Sequence, residues 1–153
     1  MKTTLIIAML SLLGVSGAGG DSEASRVKHF NVKKAVAIEG YDPVSYFNRK
    51  PEQGKPEYAF TYKGIMYRFA NQQNLNKFKA APDGFEPAYG GWCAYAMGVT
   101  GEKVKVDPLT YKIVDNRLFL FYNFKGTNTL TDWNKDEKQL KASADQYWKK
   151  IMQ

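Results

Sequence analysis

Apolar positions along this chain fall into short runs of two different periods. Over 57–62 (EYAFTY) aromatic and polar residues alternate, and 65–69 (IMYRF) repeats the alternation after Lys63-Gly64. A period of two marks a half-buried strand, and a two-residue turn ending in glycine joins two such strands into a hairpin. The same logic predicts a second hairpin from 111–114, a turn at Asp115-Asn116, and 117–122 (RLFLFY). Between them, 72–81 places Leu75 and Phe78 on one helical face; Asn71 suits the N-cap and Pro82 ends the run. Leu140, Ala144, Tyr147, Trp148 and Ile151 form an apolar stripe, so 135–151 is predicted to be an amphipathic helix, with Asn134 and Glu137 at capping-box spacing.

The remaining segments are shorter. Residues 36–39 are a β-prone run closed by Gly40, and Asp42 can cap a short helix that has Pro43 at its first position. Residues 89–97 read as a short buried helix after Gly90-Gly91, and 98–108 as a basic loop. The expected class is α+β: two β-hairpins forming small antiparallel sheets, packed with short helices and a C-terminal amphipathic helix.

At the N-terminus, Lys2 precedes an apolar run over 5–13, and Ser16-Gly17-Ala18 offers small residues for cleavage after Ala18. This reads as a signal peptide over 1–18. A membrane anchor would need an apolar run of about 20 residues. The expected organisation is then a flexible lead-in over 19–35 and one domain over 36–151. The expected location is periplasmic or secreted, with no transmembrane segment after cleavage. A single cysteine allows no internal disulfide, so the core must come from the 9 Phe, 10 Tyr and 3 Trp. The net charge of +7 is compatible with an anionic surface as partner. The lysines are scattered, however: Lys33-Lys34 and Lys149-Lys150 are the adjacent pairs, and Lys103 and Lys105 flank a valine. A solvated surface is the commoner meaning of such a distribution. There is no nucleic-acid motif.

Candidate chemistry concentrates in Tyr89-Gly90-Gly91-Trp92-Cys93-Ala94-Tyr95-Ala96-Met97. Cys93 and Met97 are four apart, on one face of a helix, and a thiolate with a thioether suits copper(I). The alternative is that both are core fillers. Cys93 as a nucleophile would need a base, and the single histidine, His29, lies far off in the lead-in. A third reading is a small-ligand pocket walled by Tyr41, Asp42, Tyr46, Tyr89, Trp92 and Tyr95, with Gly90 and Gly91 presenting N–H groups. Asp42 and Asp107, each before a proline, suit turns.

Several motifs together resemble a known family. Gly40-Tyr41-Asp42-Pro43-Val44-x-Tyr46-Phe47, Tyr62-x-Gly64-x-x-Tyr67-x-Phe69-Ala70 and Phe78-x-x-x-Pro82 resemble a YHS domain. Tyr89-Gly90-Gly91-x-Cys93-Ala94, Asp107-Pro108 and Trp133 resemble its exported bacterial subfamily, so the likeness covers about 36–150. The resemblance implies a small α+β domain of treble-clef-like ancestry and metal binding, chiefly of copper or silver. It also places cysteines where this chain has Ser45, Ala70 and Asn74, none of which offers a thiolate. Taken together, the sequence leads us to expect an exported, non-enzymatic binding protein of YHS type. A soft metal such as copper is the first candidate ligand; an aromatic small-ligand or interaction module at an anionic surface, or a thiol-dependent enzyme using Cys93, are the alternatives.

Overall fold

A computed structural model describes residues 22–153, so the signal peptide expected over 1–18 lies outside the described residues. The architecture is α+β, with small sheets, short helices and one long C-terminal helix. The first hairpin is β3 (Lys55–Tyr62) and β4 (Ile65–Phe69), antiparallel, with Tyr62 opposite Ile65 across the Lys63-Gly64 turn. On β4, alternate residues Ile65, Tyr67 and Phe69 are buried, as the period of two requires. Two short strands, β1 (Val32–Lys33) and β2 (Val36–Ala37), extend this sheet to the order β1-β2-β4-β3, with β2 parallel to β4. Helix α2 (Gln72–Ala80) starts at Asn71, whose side chain accepts the Asn74 N–H at 2.9 Å.

The second hairpin is β5 (Asp107–Val114) and β6 (Arg117–Phe121). Strand β6 is buried on both faces and separates two hydrophobic clusters. Leu118 and Leu120 belong to one, with Tyr46, Tyr67, Phe69, Phe78 and Cys93. Phe119 and Phe121 belong to the other, with Met97, Trp133 and Ala144. Phe78 centres the first cluster, its ring 5.0 Å from those of both Tyr67 and Phe69. Trp133 centres the second, 5.5 Å from the rings of both Phe119 and Phe121. Helix α3 (Ala94–Thr100) packs on α5 (Glu137–Met152) through Gly98, where a Cβ would lie 2.7 Å from the Leu140 carbonyl oxygen. The small ladder of β7 (Asn123–Phe124) and β8 (Thr127–Asn128) leads into α4 (Thr129–Trp133).

Four expectations are corrected. The flexible lead-in over 19–35 contains a capped helix, α1 (Glu23–His29), followed by β1. Its one buried residue is Arg26, paired with Glu86 at 2.5 Å and stacked 4.3 Å over Phe30. A helix whose buried face is a cation shows no apolar stripe. Second, residues 36–39 are not one strand: β2 ends at Ala37, and a 3₁₀ turn over Ile38–Gly40 follows. Third, Gly90-Gly91 lies in a 3₁₀ turn over Ala88–Gly91, and the α-helix starts only after Cys93, its N-cap. Fourth, α5 begins at Glu137 behind Asp136, without a capping box. Asn134 instead ends α4, and Glu137 accepts from Trp133 Nε1 at 2.9 Å.

Candidate functional site

Asp42 and Cys93 carry the two strongest motifs, and the fold treats them in opposite ways. Asp42 is fully buried. Its Oδ1 accepts the Val44 N–H at 2.8 Å and the Ser45 N–H at 3.3 Å. Its Oδ2 accepts the Ala70 N–H at 2.9 Å and Asn74 Nδ2 at 2.7 Å. Ser45 Oγ closes the turn by donating to the Asp42 carbonyl at 2.6 Å. Thus Ser45, Ala70 and Asn74, the positions at which the resemblance places cysteines, converge on one carboxylate. Every oxygen of that carboxylate is engaged, which is the signature of a structural polar group.

Cys93 occupies a different setting. Its backbone is anchored by the Cys93 N–H to Val104 carbonyl bond at 2.9 Å and by a bridge to Leu120. Its Sγ lies 3.4 Å from Thr129 Oγ1 and accepts the Tyr122 N–H at 3.4 Å. The thiol is buried, yet it forms the floor of an apolar groove of about 340 Å³. The walls are Tyr95, Ala96 and Val99 of α3, Val104 of the following loop, and Tyr122 and Thr129 across from them. Helix α3 therefore has two working faces. Ala94, Met97 and Gly98 are buried against the core, while Tyr95, Ala96 and Val99 turn to the groove; Val99 is 48% exposed.

The expected constellations separate. Cys93 and Met97 sit in the two clusters that β6 divides, because Cys93 caps α3 and Met97 faces α5 within it. Among the described residues no group of three or more His, Cys, Asp or Glu is placed to hold a metal ion. The polar neighbours of the thiol are a hydroxyl and a peptide N–H, neither of them soft, so this donor set does not fit copper(I). His29 contacts Lys103, with 2.6 Å between its Nδ1 and the Lys103 Nζ. Partial burial, then the charges of Lys103 and Lys28, hold its imidazole below the ordinary value.

The predicted aromatic pocket also divides, because three of its polar tips find separate partners. Tyr46 donates to the Pro108 carbonyl at 2.9 Å, Trp92 Nε1 to the His29 carbonyl at 2.7 Å, and Tyr89 to Asp145 at 3.0 Å. Tyr41 packs against the first cluster, apart from the groove that Tyr95 lines. Tyr89 and Gly90 line a separate cleft of about 350 Å³. There the cations are already paired: Arg26 with Glu86, Lys63 with Asp83 and Arg117 with Asp145. The carbonyls of Gly90 and Gly91 are both taken by Asn31. Sequence reasoning reached Cys93 and Tyr95 but missed Val99, Val104, Tyr122 and Thr129. The available signal was that α3 is apolar on two faces, more than one core needs.

Compared with known proteins, the chain matches no family model, no curated protein and no solved structure.

Proposed function

We propose that this protein is a non-enzymatic binding domain that holds a small apolar molecule in the groove over Cys93. The observation that carries the reading is the second apolar side of α3, packed on the first cluster through Tyr95 and Ala96 but exposed at Val99, beside an apolar groove of about 340 Å³. That volume is at the lower end of small-molecule sites, which span about 300–1,000 Å³. Walls of Tyr95, Ala96, Val99 and Val104 select an uncharged, apolar occupant, and the Thr129 and Tyr122 edges supply the few polar points. Export and kinship to YHS domains belong to the same reading. The sequence motifs support the kinship, and so does the meeting of Ser45, Ala70 and Asn74 around Asp42. Copper(I) at Cys93 is the competing reading, carried by the family likeness alone.

The test is equilibrium binding of the uncharged fluorophore N-phenylnaphthylamine. Wild type should bind it saturably, and Val99→Asp, a change at an exposed position, should weaken binding by about tenfold or more, since a carboxylate must then be desolvated. Equal binding by both proteins contradicts the groove. Stoichiometric copper(I) uptake lost in Cys93→Ser, without fluorophore binding, would replace it with the metal reading.

A further inference from the structure

The first sheet carries a second feature, on residues distinct from the groove. Strands β1 and β2 are joined by two residues, Lys34 and Ala35, at φ 51° and 67°. A two-residue turn of this kind demands the left-handed region at both positions and normally recruits Asn-Gly. Here a lysine and an alanine are held there instead. Ile38 and Glu39 follow at φ 52° and 51°. Lys34 and Ala35 adopt what the tight turn requires, and Ile38 and Glu39 add two further non-glycine residues in the left-handed region just beyond β2.

What the strained turn achieves is placement. Val36 pairs with Met66 of β4, which brings Lys33 and Lys34 to the same cavity as Arg68, two positions further along β4. The cavity is about 230 Å³ and is lined by Lys33, Lys34, Val36, Glu39, Gly40 and Arg68. Its single acid, Glu39, lies 3.5 Å from Lys33 Nζ, so three cations face one carboxylate. Arg68 Nε is buried and, among the described residues, has no hydrogen-bond partner. Buried guanidinium donors are normally satisfied, and this one, on a side chain that lines the cavity, is left without an acceptor.

We propose that this cavity binds a phosphate group, with Arg68 as the planar fork and Lys33 and Lys34 as point charges at the rim. A guanidinium fork matches two phosphate oxygens at once, and lysines add charge without fixing direction. A cavity of about 230 Å³ has room for a phosphate together with part of the molecule that bears it, a free small molecule or a lipid headgroup. Because the groove over Cys93 uses other residues, either site can fail alone.

The experiment is calorimetric titration of the purified protein with inorganic phosphate at low ionic strength, with chloride as the matched control. One saturable site is expected. Arg68→Gln should weaken it by about tenfold or more, the worth of a charge-assisted hydrogen bond. The double variant Lys33→Gln/Lys34→Gln should weaken it as well, whereas Lys149→Gln/Lys150→Gln should leave it unchanged. If Arg68→Gln does not fold, the exposed Lys33/Lys34 pair still decides the matter. Phosphatidylcholine vesicles bearing phosphatidic acid separate the sources: capture competed away by free phosphate assigns a headgroup, and phosphate binding without capture assigns a soluble ligand. No saturable heat, or equal losses from both lysine pairs, overturns the proposal.

Discussion

Asp42 and Cys93 stand at the centres of two regions built on opposite principles. Around Asp42, four donors from two separate stretches of chain, 44–45 and 70–74, meet one carboxylate, and nothing is left for a ligand to satisfy. Around Cys93, the thiol makes two polar contacts, to Thr129 Oγ1 and the Tyr122 N–H, and apolar surface exposed at Val99 stands beside the groove it lines. Both regions are buried at their centres, so burial alone does not separate a structural site from the proposed binding site. The difference lies in what remains unsatisfied. A completed hydrogen-bond cluster locks the chain, whereas uncovered apolar surface next to a cavity invites an occupant.

This contrast is breakable at several points. Asp42→Ala should have the largest effect, a loss of about 3–5 kcal/mol in urea unfolding, because buried donors of Val44, Ala70 and Asn74 lose their acceptor together. A cost below about 1 kcal/mol, the worth of one ordinary hydrogen bond, would mean the cluster is not what locks this region. Gly98→Ala should cost about 1–3 kcal/mol, since its Cβ meets a backbone atom of α5 that cannot turn aside. It should also weaken fluorophore binding, as α3 is the groove wall, whereas Asp42→Ala protein that remains folded should bind normally.

The smallest effect concerns Glu137, which ties Trp133, at the end of α4, to α5. A hydrogen bond from Lys112, reinforced by one from Trp133, holds the Glu137 carboxyl below its ordinary value of 4.5. Its folded pKa lies below its unfolded one, so its stabilisation is present above about pH 4.5 and lost as pH falls through the folded value. Glu137→Gln should therefore be destabilised by less than about 1 kcal/mol at neutral pH and match wild type in acid. Unfolding curves at both conditions check it; a gap that persists in acid would show that the carboxylate charge is irrelevant.

Much of the framework is legible where the signal is local. The β3–β4 hairpin follows from alternation and Lys63-Gly64, and the Asn71 cap follows from its position before Leu75 and Phe78. Helix α1 was not legible because its buried anchor is Arg26, whose partner Glu86 is 60 residues away. Helix α4 was hidden by the spacing of Asn134 and Glu137, which imitates a cap but serves a tryptophan and a lysine. The aromatic pocket failed for a related reason. Tyrosine and tryptophan side chains close in sequence, over 41–46 and 89–95, suggest a common wall, yet the tips of Tyr46, Tyr89 and Trp92 are spent on distant backbone or carboxylate partners. Cys93 and Met97 have helical spacing, but α3 starts at Ala94 rather than at 89, and with Cys93 as its cap the two residues fall in different clusters.

The central claim is that the open region around Cys93, and not the closed region around Asp42, receives the ligand. Amide chemical-shift mapping during titration with N-phenylnaphthylamine tests it most directly. The account predicts saturable shifts confined to Cys93, Tyr95, Ala96, Val99, Thr100, Val104, Tyr122, Thr127 and Thr129, and absent in Val99→Asp. Shifts centred on Val44, Ser45, Ala70 and Asn74, or no saturable shifts at all, would contradict it.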